Sequence, residues 1–324
     1  MSEYNRAKTD FCESGVHLIM HELDEAKQPT QLGPYRILRF LGRGGIAEVY
    51  EAVIFGASGF EKHVALKVLR PQWRGDARME RALIEEAKLG ARLSHRNLVG
   101  VHQLGVDQGI YYLCMDLIHG WNLRSLTREV RSPIPVILHI ADEMLAGLQY
   151  IHEFEDSAGR PLGLVHRDVT PSNILCTKEG GVCLSDLGIA KPTKELDKTW
   201  NRFLKGKYAY MSPEQLGSQE ISSAADQWGF GVTLAELLSG VRPFDGATAI
   251  ETMEKIRQAD FPKLKLPRKL RPIVRTCLEK EPSQRFASTA LLRDAISEAR
   301  GHWPPCDSRG LKAWLAEASA AVSK

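Results

Sequence analysis

The 324-residue sequence has little of the features that mark several classes of protein. It has six cysteines, but no Cys-x-x-Cys pair and no histidine cluster beside them, so we expect neither a zinc site nor a disulfide framework. The formal net charge is only +3, which argues against nucleic-acid binding through a strongly basic surface. No apolar run approaches the roughly 20 residues of a membrane span, and the N-terminus lacks a secretory pattern. We therefore expect a cytoplasmic chain without a membrane span.

Composition is that of an ordinary globular chain, with 43% apolar and 26% charged residues, which suits one two-lobed unit or two small domains. Two cysteines, Cys176 and Cys183, flank a turn at residues 178–181. They either face each other across a hairpin or are small apolar residues of the core, and we favour the second interpretation. A basic stretch at residues 263–271 either docks an acidic partner or is a solvated loop, which is the commoner case.

Apolar periodicity divides the chain into a strand-rich first part and a helix-rich second part. Residues 1–34 are polar and mixed, and we treat them as an N-terminal extension. Alternating and short apolar runs predict strands at 35–41, 49–53, 64–69 and 111–115. Helical spacing predicts helices at 79–93, 135–151, 224–239, 247–259, 272–278 and 311–322. This order indicates an α+β fold.

A glycine-rich segment, residues 41–49, joins the first two predicted strands and has glycines at 42, 44 and 45. Glycine allows the backbone to approach phosphate groups and to adopt turns that a side chain would block. A tight hairpin would use the same glycines, so this loop alone is weak evidence. Because a strand follows it, the loop does not match the dinucleotide fingerprint, in which a helix follows. The next predicted strand contains Val64-Ala65-Leu66-Lys67.

The most informative stretch is His166-Arg167-Asp168-Val169-Thr170-Pro171-Ser172-Asn173. Two further strings follow it, Asp186-Leu187-Gly188 and Ser212-Pro213-Glu214. Any one polar residue in these strings would pass as a helix cap or a turn residue. Their order and spacing, downstream of a glycine-rich loop and a strand lysine, resemble the protein kinase family. The resemblance is strongest to the bacterial members of the eukaryotic-like serine/threonine kinases.

The resemblance implies the two-lobed protein kinase fold over residues 35–298, with a strand-rich N-terminal lobe and a helical C-terminal lobe. The lobes would cover 35–115 and 121–298, joined by a hinge at 116–120, and a helical tail would follow at 299–324. The implied activity is magnesium-assisted transfer of the γ-phosphate of ATP to serine or threonine hydroxyls of a protein substrate, with autophosphorylation in signalling. Pro171 after Thr170 fits serine/threonine kinases better than tyrosine kinases.

Site residues are carried over from the family position by position. Asp168 would accept the proton of the attacking hydroxyl, and Asn173 and Asp186 would bind Mg²⁺ through oxygen atoms. Lys67 would orient the nucleotide phosphates and would itself be held by a helix glutamate. Glu86 is the preferred glutamate, and the adjacent Glu85 is the alternative. The nucleotide-binding residues would be Leu41, Gly42, Gly44, Val49, Ala65, Lys67, Met115, Asp116, Ile118, Asn122 and Leu175.

Two departures from the family pattern affect the positive charge that usually lies beside the transferred phosphate. Thr170 stands where serine/threonine kinases usually have a lysine beside the transferred phosphate, and Lys207 stands where they usually have a threonine. We therefore predict that Lys207 supplies the catalytic charge from the other side. The alternative is two unrelated losses and a weak or inactive kinase. Leu187 replaces the phenylalanine of the family's Asp-Phe-Gly and keeps an apolar side chain there.

Control is expected in the activation segment, residues 186–214, through a phosphate that pairs with Arg167. Thr199 is the preferred phosphate acceptor and Thr193 the alternative. A dimer that phosphorylates itself in trans is one option for assembly. The resemblance also implies structural roles, in which Glu214 pairs with Arg285 and Asp226 holds the backbone of the catalytic loop. Two other activities remain open: a nucleotide-binding scaffold without catalysis, and a small-molecule kinase of the same fold.

Overall fold

The computed structural model describes residues 30–188, 208–217 and 220–322, and its first part is an antiparallel sheet of six strands. The strands are β1 (Gln31–Leu32), β2 (Tyr35–Arg43), β3 (Ala47–Phe55), β4 (Glu61–Leu69), β5 (Val101–Asp107) and β6 (Ile110–Met115), in the spatial order β1-β2-β3-β4-β6-β5. Alternation along β3 and β4 directs Ala52, Val64 and Leu66 into one buried cluster. All four predicted strands lie in this sheet, whereas β1 and β5 are not predicted by the apolar pattern.

The helix α1 (Ala77–Gly90) packs against β4 and β6 and carries the predicted glutamates. Its first turn is capped by Asp76, whose carboxylate accepts two backbone N–H bonds. The helix ends three residues earlier than predicted, at Gly90. A Cβ atom on Gly90 would lie 2.6 Å from Cγ2 of Val101, so the glycine lets α1 pack closely against the start of β5.

The second part is mostly helical and includes a sheet of three strands. The helices are α2 (Leu123–Glu129), α3 (Ile134–His152), α4 (Pro213–Gly217), α5 (Ala224–Ser239), α6 (Ala249–Gln258), α7 (Arg271–Cys277), α8 (Thr289–Arg300) and α9 (Ser308–Val322). The strands β7 (Gly120–Asn122), β8 (Ile174–Thr177) and β9 (Val182–Leu184) pair antiparallel in the order β7-β8-β9. The five helices predicted in this part appear as α3, α5, α6, α7 and α9, whereas α2, α4 and α8 are not predicted.

The helices α3 and α5 form the centre of the C-terminal lobe. Almost every residue of α5 is buried, and its Trp228 stacks on Phe244 with 5.1 Å between ring centroids. In the part of the chain that the structure describes, α3 is the one helix long and apolar enough to cross a membrane by length and composition. Its most apolar window is 67% buried inside the fold, as in the core helix of a folded domain.

A buried ion pair joins α4 to the segment after α7. Two guanidinium nitrogens of Arg285 donate to the carboxylate of Glu214, at 2.7 and 3.0 Å. Arg285 also lies over the ring of Trp228, 5.1 Å from its centre, and donates to the carbonyl oxygen of Ala224 at 2.8 Å. The pairing expected for Glu214 is therefore confirmed, and these bonds compensate for removing both charges from water.

The terminal helix α9 is an integral part of the C-terminal lobe. Four apolar residues at helical spacing are buried within its core: Leu311, Trp314, Leu315 and Ala318. The helix packs against α2 and α3. At its start, a Cβ atom on Gly180, whose φ is +87°, would lie 1.9 Å from the carbonyl oxygen of Ser308. The turn between β8 and β9 and the helix α2 are thus both held by α9.

Leu315→Ala is expected to lower the free energy of unfolding by about 2–5 kcal/mol, because the leucine is buried and its truncation leaves a cavity. Urea unfolding followed by circular dichroism measures the change. The matched control is Glu317→Ala on the exposed face of the same helix, which should stay within about 0.5 kcal/mol of the parent chain. Equal stability of the two variants would contradict the assignment of α9 to the folded core.

Candidate active site

Lys67 on β4 makes two ion contacts, one within the N-terminal lobe and one with the C-terminal lobe. Its ammonium Nζ donates to Oε1 of Glu86 on α1 at 2.6 Å and to Oδ1 of Asp186, after β9, at 2.7 Å. The pairing of β3 with β4 places Val49 opposite Lys67, close to the end of the glycine-rich loop. Glu86 and Asp186, which are 19 and 119 positions from Lys67 along the chain, therefore both meet its ammonium group.

Burial and charge act in opposite directions on these groups. Burial alone would lower the pKa of the Lys67 ammonium, but the carboxylates of Asp186 and Glu86 outweigh it and raise that pKa above its ordinary value. Burial raises the pKa of Glu86, and the nearby carboxylates of Asp186 and Asp168 add to the increase, whereas Lys67 opposes it. The lysine therefore stays charged, and its charge is what allows two carboxylates to share this site.

The two candidate glutamates of α1 have different surroundings. Glu86 is 5% exposed and contacts Lys67. Glu85 is exposed, and its Oε1 lies 2.7 Å from Nζ of Lys88 on the surface of the same helix. Successive residues of an α-helix are rotated by about 100°, so only one of the pair can face the sheet. The structure agrees with the preferred assignment, Glu86.

The catalytic loop is held from behind by Asp226 at the start of α5. Its carboxylate accepts 2.7 Å hydrogen bonds from the backbone N–H groups of His166 and Arg167, and a 2.8 Å bond from Nε2 of His152 on α3. Burial would raise the pKa of Asp226, but these donors hold it below its ordinary value. Arg167 has φ of +63°, so the backbone is strained immediately before Asp168. The predicted role of Asp226 is confirmed, and His152 adds a contact that sequence reasoning missed.

Asp168 and Asn173 lie on one tight turn of this loop and are 7% and 5% exposed. Nδ2 of Asn173 donates to the backbone carbonyl oxygen of Asp168 at 3.0 Å. Since the nitrogen end of the amide is used in this way, the oxygen end is the one available to a cation. Behind the turn, Nε2 of Gln215 donates to the carbonyl oxygen of Arg167 at 3.1 Å. The loop is thus fixed on both sides of the predicted base.

Asp186 reaches Lys67 because the chain after β9 passes very close to the catalytic loop. The backbone N–H of Gly188 donates to the carbonyl oxygen of His166 at 2.7 Å, and a Cβ atom on Gly188 would lie 2.9 Å from that oxygen. Glycine is therefore the residue that fits there. The carboxylate of Asp186 and the amide oxygen of Asn173 are hard oxygen donors, which fit the Mg²⁺ predicted for them.

Apolar residues line the space between the lobes. Four of the predicted nucleotide-binding residues pack in a single cluster: Leu41, Val49, Ala65 and Met115. Within it, Ala65 and Met115 are directly opposite each other in the pairing of β4 with β6. Below this space, Leu175 lies on β8, opposite Asn122 of β7. Apolar side chains of this kind suit contact with the faces of an adenine ring.

Two predicted nucleotide-binding residues, Asp116 and Asn122, already make hydrogen bonds to other residues of the protein. The backbone N–H of Asp116 donates to the carbonyl oxygen of Gly100 at 2.9 Å, and its carboxylate accepts from Gly100 and from Nε2 of His102. Asp116 would therefore meet adenine through its carbonyl group, beside the backbone of Ile118. Oδ1 of Asn122 accepts from the first turn of α2 at 2.9 Å, because β7 leads directly into that helix. Its side-chain oxygen is a helix cap, which leaves the amide nitrogen for a ribose.

The tip of the glycine-rich loop is bonded to the segment that leads into α1. Gly42 pairs with β3, and the N–H of Gly44 closes the turn with a 2.8 Å backbone bond. The carbonyl oxygen of Gly45 accepts from Nη1 of Arg70 at 3.2 Å and from Nε1 of Trp73 at 3.4 Å. Sequence reasoning missed these two residues, because only the pairing of β3 with β4 brings them to the loop.

Three residues predicted from the sequence lie outside the described residues: Lys207, Thr193 and Thr199. Thr170, the predicted counterpart of Lys207, is described and is 4% exposed. Its Oγ1 has no hydrogen-bond partner among the residues that the structure describes. Thr170 lines one small cavity together with Asp168 and Tyr210.

Comparison with known proteins agrees with this geometry. The family model of the protein kinase domain matches residues 35–296, and the chain belongs to the protein kinase family. A solved structure of the PknI kinase domain from Mycobacterium tuberculosis superposes with a TM-score of 0.62 at 27% identity, over 83% of this chain and 96% of that one. The helix α9 lies beyond the region that the family model matches.

Curated relatives place the chain in the bacterial branch that the sequence predicts. The tyrosine-protein kinase MasK of Myxococcus xanthus is 36% identical over 82% of this chain and 42% of its own length. The serine/threonine-protein kinase PknA of Mycobacterium tuberculosis is 33% identical over 86% of this chain and 64% of its own length. The chain therefore spans less than two thirds of the length of these relatives.

Proposed function

We propose that the chain is an ATP-dependent serine/threonine protein kinase that uses Mg²⁺ to transfer the γ-phosphate of ATP to protein hydroxyl groups. The observation that carries this proposal is the Lys67 ammonium between Glu86 and Asp186, with Asp168 and Asn173 on the neighbouring loop. These five residues are the types that phosphoryl transfer uses in this fold. A scaffold without catalysis has no need for all five, which favours an enzyme.

In the proposed mechanism each side chain has one task. Lys67 orients the α- and β-phosphates of ATP. Asp168 accepts the proton of the attacking hydroxyl and aligns its oxygen with the γ-phosphorus, while Asp226 holds the loop that carries Asp168. Asn173 and Asp186 would hold Mg²⁺, which supplies positive charge to the phosphates. The catalytic gain comes from positioning and electrostatic stabilisation rather than from covalent chemistry.

Tyrosine is a second candidate acceptor, because MasK, which is named a tyrosine kinase, is 36% identical to this chain. The relatives named serine/threonine kinases, together with Pro171 in the catalytic loop, support serine and threonine. Phosphoamino-acid analysis separates the two. Purified chain is incubated with labelled ATP and Mg²⁺, with Asp168→Asn as the control. Phosphoserine or phosphothreonine is expected, and label found only in phosphotyrosine would overturn the proposed acceptor class.

We further propose, from sequence alone, that Lys207 replaces the lysine missing at Thr170. Lys207→Thr should then lower kcat by roughly 10²-fold, as expected for loss of a charge-stabilising group. Adding Thr170→Lys to that variant should recover much of the activity. Single and double variants form a cycle, in which a coupling energy of about 0.5–3 kcal/mol is expected. Additive effects, or full activity of Lys207→Thr, would mean that the two departures are independent.

We also propose that the protein acts in the cytoplasm and is controlled by autophosphorylation at Thr199, with Thr193 as the alternative. Support for a reducing compartment comes from the described cysteines, Cys114, Cys176, Cys183, Cys277 and Cys306, which are all free thiols. Phosphosite mapping of the autophosphorylated chain tests the first choice of threonine. A phosphorylation rate that rises with the square of protein concentration would indicate transfer in trans, between two copies of the chain.

A further inference from the structure

Arg124 on α2 is bonded to the catalytic loop and to the segment before α4. Its Nε donates to the hydroxyl oxygen of Ser172 at 3.0 Å, and its Nη2 donates to the hydroxyl oxygen of Tyr210. The guanidinium carbon lies 5.5 Å from the centre of the Tyr210 ring. Because Ser172 immediately precedes Asn173, this cation lies at the edge of the catalytic centre.

The charge of Arg124 has no direct negative partner in the described part of the chain. Its hydrogen-bond acceptors are two hydroxyl groups, and burial together with Glu236 raises the pKa of Tyr210, which keeps that hydroxyl neutral. The hydroxyl of Tyr210 donates to Glu236, which also lies 3.9 Å from Arg242. The carboxylate of Glu236 is thus engaged by a tyrosine and by a second arginine, and no ion pair of Arg124 is found among the side chains that the structure describes.

The position of Arg124 relative to the predicted base limits what it can contact. Tyr210 lines the same small cavity as Asp168 and Thr170. Ser172 lies four residues after Asp168, so their Cα atoms are at most about 14 Å apart. An extended peptide advances about 3.3 Å per residue. When its acceptor hydroxyl is at Asp168, a side chain roughly two to four residues away can therefore reach Arg124.

We propose that Arg124 is a specificity residue that binds an anionic side chain of the protein substrate beside the phosphoacceptor. The proposal rests on the kinase function proposed above. The guanidinium group suits this task because it presents several donors in one plane and matches the geometry of a carboxylate or a phosphate. The bonds to Ser172 and Tyr210 hold the group in place before substrate arrives, which reduces the entropy lost on binding.

A peptide panel tests the proposal directly. Each peptide has one serine in an alanine and glycine background, and one flanking position carries Ala, Glu, phosphoserine or Lys. At one position, Glu or phosphoserine should lower the KM by roughly tenfold relative to Ala, with little change in kcat, and Lys should raise it. Comparison of Glu with phosphoserine tells which anion is preferred. A panel in which wild-type KM does not depend on flanking charge would overturn the proposal.

Variants of Arg124 separate recognition from support of the fold. Arg124→Gln should remove the preference for the anionic peptide, and Arg124→Glu should convert it into a preference for Lys. The matched control is Arg131→Gln, since that exposed arginine donates to the carbonyl oxygen of Ser239 and to no side chain that the structure describes. It should keep the wild-type preference. If Arg124→Gln slows all peptides equally through kcat, then Arg124 only supports Tyr210 and the proposal is wrong.

Binding measurements keep this result separate from the kinase activity itself. Fluorescence anisotropy follows labelled peptides in which the acceptor serine is replaced by alanine, in the presence of ATP analogue and Mg²⁺. The anionic peptide should bind roughly tenfold more tightly than the Lys peptide to the parent chain, and equally weakly to Arg124→Gln. Charge-dependent binding without turnover would count against the proposed catalysis but support the role of Arg124. Turnover together with peptide binding that does not depend on charge would contradict the proposed role of Arg124 but not the proposed kinase activity.

Discussion

The Asp168→Asn variant is expected to lose phosphoryl transfer while it still binds ATP. Asn has the shape of the carboxylate but cannot accept the proton of the hydroxyl, and loss of such a base typically costs roughly 10²–10⁴-fold in rate. ATP binding should change little, because the apolar walls and Lys67 hold the nucleotide. The kcat with labelled ATP and the Kd of a fluorescent ATP analogue measure the two effects separately.

The loop geometry should be preserved by this substitution. Asp168 uses its backbone groups in the contacts with His166 and Asn173, at 3.3 and 3.0 Å, and these remain when the side chain is changed. A suitable control is Asp260→Asn, an exposed aspartate away from the site, which should keep full activity. Wild-type turnover by Asp168→Asn would exclude Asp168 as the base, and a large loss of ATP affinity would indicate a disturbed pocket instead.

The sequence predicts the large elements and the reacting residues for different reasons. The strands β2, β3, β4 and β6 and the helices α3 and α5 are long and strongly apolar on the faces that become buried, so their periodicity is visible. The reacting residues are visible because phosphoryl transfer limits the residue types that can serve, and their spacing along the chain is short. Within residues 166–173, both the base and a metal ligand follow from one string.

Contacts between distant segments could not be predicted in this way. Arg124 and Tyr210 are 86 positions apart, and nothing in either local pattern indicates that they meet. The cap formed by Asn122 also depends on context, since an asparagine before a seven-residue helix resembles any polar loop residue. The short strand β5 alternates weakly and is identified only through its pairing with β6. In each case tertiary contacts, rather than local sequence, decide the role of the residue.

Removal of the charge on Lys67 is the second change for which a very large loss is expected. Lys67→Met keeps the length of the side chain but leaves no cation to orient the phosphates, and kcat should fall by roughly 10²-fold or more. It also leaves the carboxylates of Glu86 and Asp186 close together without the ammonium that separates them. Breaking a buried pair in this way typically costs about 3–5 kcal/mol. A lower melting temperature should therefore accompany the loss of activity.

The two glutamates of α1 provide the matched pair for this prediction. Glu86→Gln removes the buried negative charge that pairs with Lys67 and should also lower kcat strongly, since an amide oxygen is a weaker acceptor for the ammonium than a carboxylate. Glu85→Gln changes the neighbouring residue, which pairs with Lys88 at the surface, and should have little effect. Rates with labelled ATP and melting curves for the three variants give the comparison. If Glu85→Gln were the more damaging of the two, the active enzyme would use a different face of α1 from the one that contacts Lys67 here.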